Sequence, residues 1–261
     1  MKDYSIETSP QLYARTGGAL YLIIIVLGIF GEAFVRGRLI VAGDAVATAA
    51  NIMAMESLWR FGIAAEFLAL ICTITLAMIY FFLLRPVSKE LNLLATFFRL
   101  VSIMVEVVAA LNLVTALFPL GNAASLKSFT PEQLYALTSL ATKSHSYGFS
   151  VSLLFLGCCF LIHGRLIFKS GYLPRALGIL IQVAGVGYLT NGFALLLYPA
   201  VANKVFLAII IPVFVAETSL SLWLLVKGVN VQKFKERAGM GAVDAPLQAA
   251  LVGESVALVG E

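Results

Sequence analysis

Six apolar runs, at about 12–35, 58–84, 91–118, 145–169, 174–198 and 204–227, constrain this chain more than any other feature, because each meets the roughly 20 helical residues needed to cross a bilayer core. Inside hydrocarbon every backbone amide must be satisfied within the protein, so isolated runs of this length fold as helices rather than as open sheet. The reading is an all-α polytopic membrane protein with six transmembrane helices. Apolar residues make up 61% of the 261-residue chain and charged residues 12%, with mean hydropathy +0.96, which excludes a soluble globular class. The net charge of +4 does not mark a nucleic-acid binder, since the basic residues sit in short clusters between the runs.

Two connections are long enough to hold structure of their own. In residues 36–57, Asp44 can cap a short helix carrying Val46, Ile52 and Met53; in 119–144, Thr130 is a good N-cap and Pro131 a good first helical residue. Both are read as short extracytoplasmic interfacial helices lying on the membrane. "RPVSKE" and "KSGYLPR" are tight hairpins, with Gly171 closing one helix and Pro174 opening the next. Lys2, Arg15, Arg85, Lys89, Arg165, Lys169, Arg175, Lys227, Lys233, Lys235 and Arg237 fall on one side of the membrane. Only Arg36, Arg38, Arg60, Lys127, Lys143 and Lys204 fall on the other, so the positive-inside rule places both termini in the cytoplasm. Residues 1–11 are then a cytoplasmic N-terminus, 12–230 the transmembrane domain, and 231–261 a cytoplasmic, mostly disordered tail. The first run is too long for a signal-peptide core and is read as a retained span. Cys72, Cys158 and Cys159 all lie inside apolar runs and read as small core residues rather than a disulfide or metal framework.

Polar residues inside the runs are the functional signal. Counting 1.5 Å per residue from the ends of the runs puts Arg99 about 12 Å from the cytoplasmic face and Glu217 at about the same level. A lone charge at mid-bilayer costs about 2.5–3.5 kcal/mol or more, so the two are expected to turn inward and form a structural ion pair. Nearer the outside, Glu66 and Glu106 come about 12 and 8 Å below the surface, with His145 and Asn191 at similar or shallower depth. Glu66 shares a face with Gly62, Ala69, Thr73, Ala77 and Tyr80, and Arg99, Ser102, Glu106 and Ala109 form a stripe that should look back at it. Two carboxyls so placed cannot both stay charged unless a cation, an arginine or an amine ligand sits between them.

These groups allow two accounts. They can be internally satisfied helix–helix contacts, or they can line an outward-facing pocket built from Glu66, Glu106, His145, Tyr147 and Asn191. The second implies binding or transport of a small or lipid-like molecule. A further alternative is a non-catalytic structural or regulatory subunit whose loops 36–57 and 119–144 dock a membrane-protein partner. Membrane lipids are partners in either case. An intramembrane enzyme using Glu66 or Glu106 with His145 lacks any nucleophile, metal or cofactor motif, so no catalytic residue, metal ligand or cofactor is assigned. His163 reads as interfacial beside Arg165 and Lys169, and with His145 at the other end of its span it makes no axial pair for haem. Gly178, Gly185 and Gly192, seven residues apart, read as close helix packing.

The stretches "HSYGF", "SGYLPRALGILIQVAGVGYL" and "ETSLSLWLLVKGV", with "GEAFVRGRLIVAGDAVATAANI" and "FFRLV", resemble the bacterial integral-membrane family known as domain of unknown function 4386, over about residues 12–230. The resemblance implies a six-span protein of the bacterial inner membrane and brings with it no activity, ligand or catalytic residue.

Overall fold

The computed structural model describes residues 9–239, and Pro10 opens the first helix as a first-turn proline should. Six helices are long and apolar enough to span a membrane: α1 (Pro10–Leu39), α3 (Glu56–Leu84), α4 (Lys89–Thr115), α5 (Pro131–Ser170), α6 (Arg175–Leu197) and α7 (Pro199–Val226). Two shorter helices join them, α2 (Ala45–Ala54) before α3 and α8 (Val231–Arg237) after α7. Each span packs on the next, and α7 returns to α1, so the six form a closed ring. Val26, Ile71, Met104, Val186 and Ile211 project from the outside of that ring and are exposed, as suits side chains that face acyl tails.

Small residues set the ring's tightest seams. Gly157 and Gly164 of α5 oppose Gly185 and Gly178 of α6, and a Cβ added to Gly164 or Gly178 would lie 2.6 Å from the facing carbonyl oxygen. The seven-residue glycine spacing thus does what close packing requires. The end of α1 is wound as a π-helix over Phe30–Arg36. Its wider turn brings Val35 and Arg36 inward, and Val35 packs where a side chain on Gly62 of α3 would otherwise stand.

The two ends of the ring are closed differently. On the side expected to be extracytoplasmic, the Asp44 side chain accepts from the Ala47 amide at 2.8 Å and starts α2, as its sequence predicts. α2 buries Ala49 and Ile52, the latter in a cluster with Trp59, Leu113 and Ala141, so it caps the bundle. The second expected interfacial helix is not a separate element. Thr130 and Gln133 form a capping box, but the helix they start runs on for 40 residues through the whole of α5. No proline interrupts 132–170, and the segment is tied down as it passes: Thr138 donates to the Ala116 carbonyl and Ala141 is buried. Helix propagation past the cap therefore meets nothing to stop it.

At the other end, Gly171 takes φ +77° and ends α5, and the Tyr172 hydroxyl donates to the Leu83 carbonyl. Burial there pushes the Tyr172 phenol above its ordinary pKa. Residues 231–237, expected to open a mostly disordered tail, instead form α8. Asn230 caps it, and Phe234 is buried with its ring 5.2 Å from that of Tyr172. Gln11 ties both ends together, donating to the Lys227 carbonyl and accepting from the Val229 amide. The expected tail residues 240–261 and N-terminal residues 1–8 lie outside the described part.

Candidate functional site

Each of the six spans sends one polar side chain into a common inner layer: Tyr21 from α1, Tyr80 from α3, Arg99 from α4, His163 from α5, Tyr188 from α6 and Glu217 from α7. The Tyr188 hydroxyl donates to Glu217 Oε1 at 2.6 Å. Rings link the other members: Tyr21 to Tyr80 at 6.3 Å, and Tyr80 to His163 at 5.4 Å between centroids. The Tyr21 hydroxyl also lies beside the Glu217 carboxylate. The Tyr80 hydroxyl, Arg99 Nη1, His163 Nε2, and the Ser102 and Thr218 hydroxyls are buried without a hydrogen-bond partner among the described residues. A void with room for about one water lies against Tyr21, Tyr80 and His163, walled by Phe160, Ile167, Ile181 and Leu220. Buried polar atoms are ordinarily satisfied in native interiors, so these atoms distinguish the layer from the rest of the bundle.

The expected direct ion pair between Arg99 and Glu217 does not form. No Arg99 nitrogen comes within 4.0 Å of a Glu217 oxygen, and the carboxylate takes the Tyr188 hydroxyl instead. The two charges still lie within electrostatic reach of each other. His163, expected at the interface, is buried, because Gly164 and Gly178 let α6 close over it; its Nδ1 faces Cys159 Sγ at 3.5 Å.

A second polar layer lies toward α2. Arg36 Nη1 donates to Glu66 Oε2 at 3.0 Å, and Arg36 Nε donates to Glu32 at 2.8 Å. The Arg36 and Glu66 side chains are 10% and 8% exposed, whereas Glu32 is 67% exposed and marks the rim. The counter-charge of Glu66 thus comes from the protein itself, on the π-helical turn of α1, and Arg36 bonds Glu66 and Glu32 rather than bridging Glu66 and Glu106. His145 is buried and its Nδ1 meets the Ala109 carbonyl at 3.1 Å, which, the carbonyl being an acceptor, places the ring proton on Nδ1. Glu106 lies within electrostatic reach of both layers, sensing Arg36 and Glu66 on one side and Arg99 and Glu217 on the other. Asn191 is buried on α6. Tyr147 does not join this group: two residues from His145 it points elsewhere on the helix and is 43% exposed. The sequence carried one clue to the missed triad, the four-residue spacing of Glu32 and Arg36 within "GEAFVRGR". Among the described residues no cluster of His, Cys, Asp and Glu could hold a metal ion.

A closed ring of six apolar helices with an ionisable interior defines a polytopic helical membrane protein. By its match over residues 16–228, the chain belongs to the family described as domain of unknown function 4386. It is 30% identical over 168 residues to an uncharacterized protein from Archaeoglobus fulgidus, an alignment that covers 64% of this chain and 84% of the relative. No solved structure matches it.

Proposed function

We propose that the protein binds, and moves across the membrane, a small polar or lipid-like molecule held in the interior of the bundle. The observation that supports this is the inner layer, to which all six spans contribute and in which the Tyr80 hydroxyl, Arg99 Nη1 and His163 Nε2 have no protein hydrogen-bond partner. A polar seam that serves only packing is cheaper when every member is satisfied by the protein, and this one is not. The void in the inner layer has room for about one water in the conformation described, so a larger guest requires the bundle to open, and the Arg36–Glu66 bond is one contact that an opening on the side of α2 would break. The Lys and Arg distribution supports a bacterial inner-membrane location with both termini in the cytoplasm.

The test is ligand-induced stabilisation of the purified protein in lipid nanodiscs, screened with organic cations, carboxylates and lysophospholipids. At least one compound should raise the Tm of the wild type and fail to raise that of Arg99→Met or Glu217→Gln. A screen in which nothing shifts the wild type defeats the reading. The alternative of a non-catalytic subunit docking a membrane partner draws on exposed Phe118 and Phe129 in the long connection before α5. Crosslinking in native membranes from those two positions would then capture a second protein.

A further inference from the structure

The void in the inner layer is walled by side chains from five of the six spans: Tyr21 of α1, Tyr80 of α3, Phe160, His163 and Ile167 of α5, Ile181 of α6 and Leu220 of α7. It has room for about one water. A void of that size with only apolar walls stays dry, so its content is decided by the polar atoms at its edge.

Two of those atoms are left open. The Tyr80 hydroxyl and His163 Nε2 are buried, and neither has a hydrogen-bond partner among the described residues. Their rings are neighbours, 5.4 Å apart between centroids and tilted by 51°, yet the hydroxyl and the nitrogen do not bond each other. Bare, both would bear the full cost of desolvation. The imidazole narrows the choice of partner. His163 Nδ1 faces Cys159 Sγ at 3.5 Å. With the ring proton on Nδ1, Nε2 must accept; with the proton on Nε2, it must donate. Water can meet either need, whereas a monatomic ion serves one direction only. The Tyr80 hydroxyl can likewise donate or accept. Tyr21 is the third polar side chain of the wall, and a hydroxyl that donates to the Glu217 carboxylate beside it keeps lone pairs for a further donor.

We infer that the void is a binding site for one ordered water, held between Tyr80 Oη and His163 Nε2 with Tyr21 as its third neighbour. So placed, the water links the Tyr188–Glu217 bond of α6 and α7 to His163 and Cys159 of α5 by way of Tyr21 and Tyr80, a polar chain across five spans. The site belongs to the closed bundle and goes beyond the proposed guest: it stands even where no compound stabilises the protein.

The test is a structure of the wild type in lipid nanodiscs at a resolution that shows ordered water. One isolated peak should lie within about 2.5–3.2 Å of both Tyr80 Oη and His163 Nε2. An empty void, or Tyr80 and His163 turned into direct contact, overturns the inference. So does elongated density that needs a polyatomic molecule, which would support the interior guest instead. A double-mutant cycle read as Tm in nanodiscs is the second measurement. Tyr80→Phe keeps the ring and removes only the hydroxyl, and His163→Leu removes Nε2. The two together should lower Tm by less than the sum of their separate shifts, because either one already loosens the shared water. Strictly additive shifts overturn the inference. Should His163→Leu not fold, the wild-type density decides alone.

Discussion

Replacing Arg36 with Met should destabilise the protein by about 3–5 kcal/mol, because it strands the Glu66 carboxylate, only 8% exposed, without its counter-charge. Glu32→Gln should cost no more than about 1 kcal/mol, since that side chain is 67% exposed and its pairing with Arg36 is screened. The double variant Arg36→Met/Glu66→Leu removes both charges together and should be far more stable than the sum of its single changes, with a coupling of about 2–3 kcal/mol. Steric-trapping or SDS unfolding in bicelles measures all four, with Trp59 as a local probe because it lines the same small void as Arg36, Val35 and Gly62. A penalty below about 1 kcal/mol for Arg36→Met, or strict additivity in the double variant, would show that the pair is not buried as described.

Other outcomes follow from the same packing. Gly178→Ala places a methyl 2.6 Å from the Gly164 carbonyl, against backbone that cannot yield, and should lower the thermal stability of the bundle by an amount typical of overpacking, about 1–3 kcal/mol, in a nanodisc melt. Trp59→Phe removes the indole donor from the Leu113 carbonyl, a buried 3.0 Å bond, and should cost about 1–3 kcal/mol by the same unfolding assay. Phe234→Ala empties the contact beneath Tyr172 and should free α8, read as faster proteolysis after residue 228 with the six spans intact. Tyr188→Phe removes the 2.6 Å hydrogen bond to Glu217 and should weaken any compound found to stabilise the wild type, while changing the fold little by circular dichroism.

How much of the site could be read in advance differs residue by residue. Glu66, Glu106 and Glu217 announced themselves because a carboxyl in a long apolar run has so few places to point. His145 was legible for the same reason, although its partner, the Ala109 carbonyl, was not. Tyr21 and Tyr188 give no signal in sequence, since tyrosine is unremarkable in an apolar helix and becomes informative only when its hydroxyl is seen beside a carboxylate. Arg36 was assigned to a loop, because the π-helical turn that carries it inward leaves no clear trace in residue order.

The sequence by itself determined the six spans, the hairpins between them and a closely packed glycine face on α6, since run length, Gly171 with Pro174, and glycine spacing each act through local geometry; that this face meets α5 came from the structure. It did not determine which charges meet. Depth along a helix can be counted in steps of about 1.5 Å, but the partner of a side chain depends on how each helix is rotated and which neighbour it packs against. Arg99 and Glu217 were placed at one level by counting and still do not bond, while the carboxylate accepts from Tyr188 of the neighbouring helix. That choice was made by the closing of the ring, where all six helices contribute at once.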